Sequence, residues 1–412
     1  MNARSTRGTV LVLPTGVRSG PWACRSLRRA GFRVVGANDA GASHGGGRSL
    51  ACRAPRPYPS ACEDAEEFLA AFEGICRCEG VDAVLPLSES LLHLLVTSSP
   101  DLGRAVLIGP TREQFELLCD KSRLEVAAEL AGVGVPRSVV VSPGGADGAL
   151  PPLPSVVKPA TSATPHGGRV VYRPVQYATT ERARELAVAR VLLDGDRALV
   201  QEFLPGPEWL VDFFRHDDGL AALTRVVVRE GVTRVAPPPE GIIASTRRLV
   251  DTAGFRGVGQ VQFLCGGPEL CVHDVNLRVT FGVAAAMRAG LDLPRLAVEQ
   301  ALGLPATVPT RHRPVRYVWL GGEARHLLGG GPPSTARPSA VTFARELTLA
   351  ALLPRRILDP VSLADPLVFV ASVRRVSSAV AQRLRRRRAG RRILVEPAAV
   401  EARDDPVAET VR

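Results

Sequence analysis

Lysine is nearly missing from this chain of 412 residues: its 52 basic residues are almost all arginine, and both lysines, Lys121 and Lys158, fall in one segment. That scarcity singles the two out as retained for a purpose. No stretch reaches the roughly 18 apolar residues that a membrane-spanning helix needs. The eight cysteines, at positions 24, 52, 62, 76, 78, 119, 265 and 271, form no CxxC pair, and the seven histidines do not gather around them. That excludes a zinc ribbon and a disulfide framework, and scattered thiols suit a reducing cytoplasm. A cleavable leader is not expected, because a strand begins almost at once and the first apolar run is short. Between Arg374 and Arg392 the sequence holds nine arginines and no carboxylate. Removing those nine charges from the net +11 leaves the rest of the chain near +2. The basic character is therefore a local C-terminal feature and not a nucleic-acid-binding property of the fold.

What is present is a globular composition, 45% hydrophobic, long enough for two or three domains. The first hundred residues alternate strand and helix. Strands are expected at Thr9–Leu13, Phe32–Gly36, Val81–Leu85 and Ala105–Ile108, with helices after the first and over Glu63–Arg77. This rhythm gives an open parallel sheet covered on both faces. The loop from Gly16 to Gly20 resembles a phosphate-binding turn only weakly, since it is not GxGxxG. From Thr111 the texture becomes α+β: a helix that carries Asp120-Lys121 along it, then mainly antiparallel strands. Pro143–Pro154 reads as a surface loop, Pro159–Arg169 as a glycine-containing loop, and Gly321–Pro333 as a linker or long loop. Asp365-Pro366 can start a basic amphipathic helix that runs into the arginines. The sequence from Ala398 reads as a disordered tail.

The most informative stretch runs from Gln262 to Arg278. Asp274, Asn276 and Arg278 alternate along an expected strand, so they share one face. Gln262 lies on the strand before. Two oxygen ligands, a carboxamide and a guanidinium in a row can hold Mg²⁺ and a polyphosphate. The blander reading is a hairpin with a wet polar face. For Gln262 and Asp274 to face one cleft, the pairing needs an odd-length loop or a bulge, expected within Gly266–Leu270. Lys158 ends an apolar strand before a flexible loop, where a point charge can meet phosphate oxygens. Glu202 ends another strand before a turn, and Glu208 follows six residues later. Taken singly, each can equally be a solvated surface charge.

In order, these motifs resemble the ATP-grasp superfamily, on the branch of carbamoyl-phosphate-synthetase-like domains and carboxylate–amine ligases. They are Asp120-Lys121, Val157-Lys158-Pro159, Gln201-Glu202-Phe203-Leu204-Pro205-Gly206-Pro207-Glu208, Val261-Gln262-Phe263 and Asp274-Val275-Asn276-Leu277-Arg278. The resemblance spans about Thr9 to Pro305. It implies a fold that is α/β and α+β: a Rossmann-like pre-ATP-grasp domain at 1–109 and an ATP-grasp domain at 110–305. An irregular C-terminal extension at 306–392 and a tail at 393–412 would follow. It implies that Lys121 and Lys158 contact ATP phosphates, that Gln201, Glu202, Phe203 and Leu204 hold adenine, and that Glu208 holds ribose. Gln262, Asp274 and Asn276 would bind Mg²⁺ or Mn²⁺. Arg278, with Lys158, would serve catalysis by stabilising transferred phosphate or an acyl intermediate. The implied reaction activates a carboxylate as an acylphosphate and joins it to an amine, in the cytoplasm, on small-molecule substrates and in a possible homodimer.

Three departures keep other readings open. Asp274 stands where the family most often has Glu, Leu277 where it has Pro, and the phosphate loop is poor in glycine and holds Pro165. A catalytically weak or inactive ATP-binding module is one alternative, and a ligase using a non-amine nucleophile is another. Ser88, Glu89, Arg225 and Arg229 are candidate substrate contacts. The basic helix is open to an anionic membrane, nucleic acid or a protein partner, or to being a solvated tail.

Overall fold

A computed structural model describes residues 7–41, 49–52, 55–161, 163–193, 196–229, 231–266, 270–309, 311–327, 339–353 and 355–359, with residues 365, 366, 368 and 370. All of these belong to one compact unit, Met1–Ser372. The arginine-rich stretch, the tail and most of the helix expected from Asp365 lie outside the described residues.

The chain opens with β1 (Thr9–Leu13), α1 (Ser19–Arg29), β2 (Arg33–Asp39), β3 (Arg56–Tyr58), α2 (Ala65–Glu79), β4 (Ala83–Pro86), α3 (Glu89–Ser98) and β5 (Val106–Leu107). The strands pair in parallel in the order β3-β2-β1-β4-β5. Every residue of β1 is buried, as an apolar run flanked by helices on both faces should be. Helix α2 begins where the Asp64 carboxylate accepts from the Glu67 N–H, and α3 where the Ser88 hydroxyl accepts from the Leu91 N–H. Strand order reverses at β1, so the loops after β1 and β4 diverge and leave a crevice at their carboxyl ends. Glu89 stands on the β4 side of it.

Next come α4 (Arg112–Leu118) and α5 (Leu124–Ala131). Asp120-Lys121 does not lie along one continuous helix, as the sequence pattern suggested, but in the turn between these two. Asp120 Oδ1 accepts from the Ser122 N–H and hydroxyl, and such local bonding competes with a helix. There follow β6 (Ser138–Ser142), β7 (Gly145–Ala146), β8 (Ser155–Pro159), β9 (Ala163–His166), β10 (Arg169–Tyr172), β11 (Gln176–Ala178), α6 (Glu181–Leu192) and β12 (Ala198–Glu202). An antiparallel sheet forms in the order β11-β8-β12-β6-β7, while β9 and β10 pair separately. The stretch expected as a loop at Pro159–Arg169 is thus mostly a hairpin, turning at Gly167 and Gly168 with φ of 56° and 76°. The hairpin docks on the N-terminal layer. Val170 is buried in that layer's core, and its N–H donates to the Ala61 carbonyl.

A seven-stranded sheet completes the unit. It takes β13 (Glu208–His216), β14 (Gly219–Arg229), β15 (Val232–Val235), β16 (Gly257–Leu264), β17 (Cys271–Asn276), β18 (Arg316–Trp319) and β19 (Arg356–Asp359), with α7 (Ile242–Thr252), α8 (Val283–Ala289), α9 (Leu293–Ala301), α10 (Leu320–Leu327) and α11 (Ala340–Leu352) between them. Residues 321–327 are therefore helical, where the sequence suggested the start of a long loop. Alternation of side chains divides the sheet. Val211, Phe213, Val261, Phe263 and Val275 pack on one face against the α4, α5 and α7 layer. The other face carries Asp212, Gln260, Gln262, Asp274 and Asn276, and at its far end Phe214, Leu223 and Val258 join a core shared with α1, α8 and α9.

Candidate active site

The polar face of β16 and β17 meets the antiparallel sheet that holds β8 and β12 across a cleft. Gln260 pairs with Asn276 and Gln262 with Asp274, directly opposite each other. The register then slips by one, so that Phe263 pairs with Val272 and His273 is the extra residue. The required bulge is present, but it lies at His273 within the strand, not in Gly266–Leu270 as expected. It bends the strand end and turns His273 toward the cleft. Arg278 lies two residues past the end of β17, not on it, yet its guanidinium donates to Asn276 Oδ1 at 3.0 Å. Asn276 in turn donates from Nδ2 to Asp274 Oδ2 at 2.8 Å.

Both lysines reach this cluster. Lys121 Nζ is 3.2 Å from Asp274 Oδ1 and 4.0 Å from Glu89 Oε1. Burial disfavours the Lys121 ammonium, but Asp274 and Glu89 more than offset it and hold its pKa above the ordinary lysine value. Burial likewise pushes the Asp274 carboxyl up, and Lys121, His273 and Lys158 outweigh it, so Asp274 is held low and ionised. Lys158 Nζ donates to Gln201 Oε1 at 2.7 Å and sits 3.4 Å from His273 Nδ1, tying the two sheets together. Burial dominates there and brings Lys158 down to about 8, with Asp274 opposing. His273 Nε2 faces Glu208 Oε1 at 3.4 Å. Glu89 Oε2 lies 3.8 Å from Arg278, so the N-terminal crevice contributes to the same cluster.

Not every candidate joins. Glu202 turns its carboxylate to the Arg137 backbone N–H at 2.8 Å. Phe203 packs edge-on against Tyr177, and Leu204 lies in the turn before Glu208. Ser88 is spent as a helix cap. Arg229 pairs with the buried Glu323, within the sheet extension. Arg225 is almost fully buried and grips Asp212 through two bonds, Nε to Oδ2 at 2.6 Å and NH2 to Oδ1 at 3.1 Å. Sequence reasoning missed His273, Gln260 and Asp212. The signal for Asp212 was a lone carboxylate in the apolar run Leu210-Val211-Asp212-Phe213-Phe214, which is buried only with a partner.

As a cation site, the donor set is Gln262 Oε1, the Asp274 carboxylate and Asn276 Oδ1. These are all hard oxygen donors along two adjacent strands, which suits Mg²⁺ or Mn²⁺. No hydrogen bond among the described residues engages Gln262 Oε1, whereas its Nε2 donates to Gln260 Oε1 at 3.2 Å. Beside Arg278 opens a cavity of about 330 Å³, walled chiefly by Leu85, Ile108, Val258, Val279 and Ala297.

Two largely antiparallel sheets, a strand pair lined with oxygen donors and two lysines across a cleft are the arrangement of an ATP-grasp fold. Residues 195–323, about a third of the chain, match the family model described as ATP-grasp in the biosynthetic pathway with Ter operon, and the fold of the described residues agrees with that match. The L-amino acid ligase of Bacillus licheniformis is similar at 18% identity and TM-score 0.58, over 72% of this chain and 74% of that one. The N5-carboxyaminoimidazole ribonucleotide synthetase of Thermus thermophilus shares 18% identity with TM-score 0.56, over 86% and 100%. The carboxyaminoimidazole ribonucleotide synthase of Aspergillus clavatus, solved with ATP, shares 14% with TM-score 0.58, over 84% and 87%. At these identities the likeness is one of fold. No curated protein matches the chain in sequence. Among the described residues, no helix is long and apolar enough to cross a membrane.

Proposed function

We propose that the protein is an ATP-dependent carboxylate–amine ligase, working in the cytoplasm on small molecules. The observation that carries this reading is the single cluster in which Lys121, Lys158, Asp274, Asn276 and Arg278 meet across the cleft. Three cations around two oxygen donors suit a nucleotide triphosphate whose charge must be neutralised as the γ-phosphoryl transfers. Mg²⁺ held by Gln262, Asp274 and Asn276 would supply further neutralisation of the phosphates. Lys158 is assigned to the phosphate chain, and Arg278 to the acid and the transferred phosphoryl. Glu208 is assigned to ribose, and the Tyr177–Phe203 corner beside Leu204 to the base. Glu202, through its bond to Arg137, would shape the adenine pocket by holding β12 against the residue before β6.

In the reaction, a carboxylate oxygen attacks the γ-phosphorus and ADP leaves. An amine then attacks the acyl carbon, and phosphate leaves with the oxygen that came from the acid. The cavity beside Arg278 is assigned to the acid's chain, since its aliphatic walls and its size fall in the range of small-molecule sites. The division of labour would follow the segments 1–109, 110–305 and 306–392. Incubating the protein with Mg-ATP and pooled carboxylic acids and amines should release ADP and phosphate only when both pools are present. Release of AMP and pyrophosphate instead would identify an adenylating enzyme, and nucleotide binding without turnover a module that has lost catalysis.

A further inference from the structure

The orientation of one side-chain amide is dictated from deep inside the protein. Arg225 is 1% exposed and Asp212 fully buried. The Arg225 guanidinium lies against the backbone of Gly282, where even a methyl group would come within 2.4 Å of it. Its third bond runs from NH1 to Thr233 Oγ1 at 3.0 Å. A guanidinium only donates and an ionised carboxylate only accepts. Gln260 therefore must turn its NH2 to Asp212, and Nε2 donates to Asp212 Oδ1 at 2.6 Å and to Thr280 Oγ1 at 3.1 Å. That leaves Gln260 Oε1 as an acceptor aimed along the sheet face, and Gln262 must meet it with Nε2. From Gln262 through Gln260 every bond donates toward Asp212, and Arg225 donates into the same carboxylate from the other side, so reversing either amide would set oxygen against oxygen. Gln262 is thereby left with its oxygen, and not its nitrogen, free beside Asp274.

We propose that Arg225, Asp212 and Gln260 are positioning residues that fix the Gln262 carboxamide with Oε1 toward the cation site. This rests on the assignment of Gln262 to a metal under the function proposed above. Partners behind a metal ligand orient it, and their loss lowers metal affinity about 10- to 100-fold. Asp212→Asn is the obvious variant but leaves Arg225 buried without its counter-charge. Gln260→Leu keeps that pair and cuts the chain between it and Gln262, and Gln260→Met does so with a more pliant side chain.

The test is a Mn²⁺ titration of the full-length protein with a non-hydrolysable ATP analogue, read by electron paramagnetic resonance, with circular dichroism as the folding check. Gln260→Leu should weaken Mn²⁺ binding about tenfold. The decisive comparison repeats this on a Gln262→Glu background. A carboxylate has no wrong end, and Gln260 Oε1 would oppose it, so there Gln260→Leu should leave Mn²⁺ binding unchanged or tighten it. Equal weakening on both backgrounds would mean general damage, and no weakening on the first would mean no relay. Either result overturns the proposal while leaving the cation site standing. Failure of the unaltered protein to bind Mn²⁺ with the analogue would overturn the cation site itself.

Discussion

At the residue scale, the molecule concentrates opposite charges where water is scarce and leaves few of them unmatched. The Arg225–Asp212 pair is the extreme case. Removing one member of such a buried pair leaves the other charge stranded, at a cost of about 3–5 kcal/mol, whereas replacing both with apolar groups of similar size is often close to neutral. We therefore expect Asp212→Ala to lower unfolding free energy by about that amount, and the double replacement Asp212→Leu with Arg225→Met to recover most of it, as read by urea denaturation. Glu346 offers a pH-dependent counterpart. It is 2.6 Å from Arg316 NH2 and 2.9 Å from Arg356 NH1. Burial pushes its carboxyl up, but Arg316, Arg356 and Arg229 outweigh burial and hold its pKa below the ordinary 4.5. A lowered folded pKa stabilises the folded state above the unfolded value and ceases to do so as pH falls through the folded one. The stability gap between the native protein and Glu346→Gln should accordingly be full at pH ~7 and shrink below pH ~4.5. A gap that widened in acid would reverse the assignment.

At the element scale, two features govern the cleft. The first is the bulge at His273, which alone brings Asp274 and Asn276 onto the face of Gln262 while Val272 stays in the apolar core. Deleting His273 would force one half of β17 to present its wrong face. We expect that variant to lose cooperative unfolding by circular dichroism, while His273→Ala keeps it. The second is the β9–β10 hairpin, seated on the N-terminal layer through Val170, which is 2% exposed. Burying a valine is worth roughly 1.5–3 kcal/mol. Val170→Asp should release the hairpin and open residues 163–172 to limited proteolysis, with the rest of the unit still protected. Local parity made the need for an odd-length loop or a bulge readable in the sequence, since Gln262 and Asp274 cannot otherwise share a face. Its place was not readable, because the six residues between β16 and β17 offered turn glycines that drew attention from the strand itself. The hairpin was hidden for a related reason: Pro159 to Arg169 is short, polar and proline-containing, and its pairing is secured by contact with a distant layer.

At the scale of the whole molecule, the alternation of strand and helix announced the parallel sheet, and the ordered motifs announced the sheets that follow it. Lysine scarcity pointed to the two cations that meet the cleft. What stayed illegible were contacts that join distant segments. Glu89 belongs to the first layer, yet reaches Lys121 and Arg278 only because β4 ends at the crevice. Arg229 looked like a substrate contact, but Glu323, ninety-four residues away, holds it in the extension of the large sheet. Glu202 sat in the right motif, and its partner is the backbone of Arg137.

The central claim is that the cleft makes an acylphosphate. Its most direct test uses whichever acid supports ADP release, labelled with ¹⁸O in its carboxylate and incubated with Mg-ATP and amine. Phosphate recovered after turnover should carry one ¹⁸O atom per product formed, and Asn276→Ala should release none. Unlabelled phosphate accompanying amide formation would contradict the account.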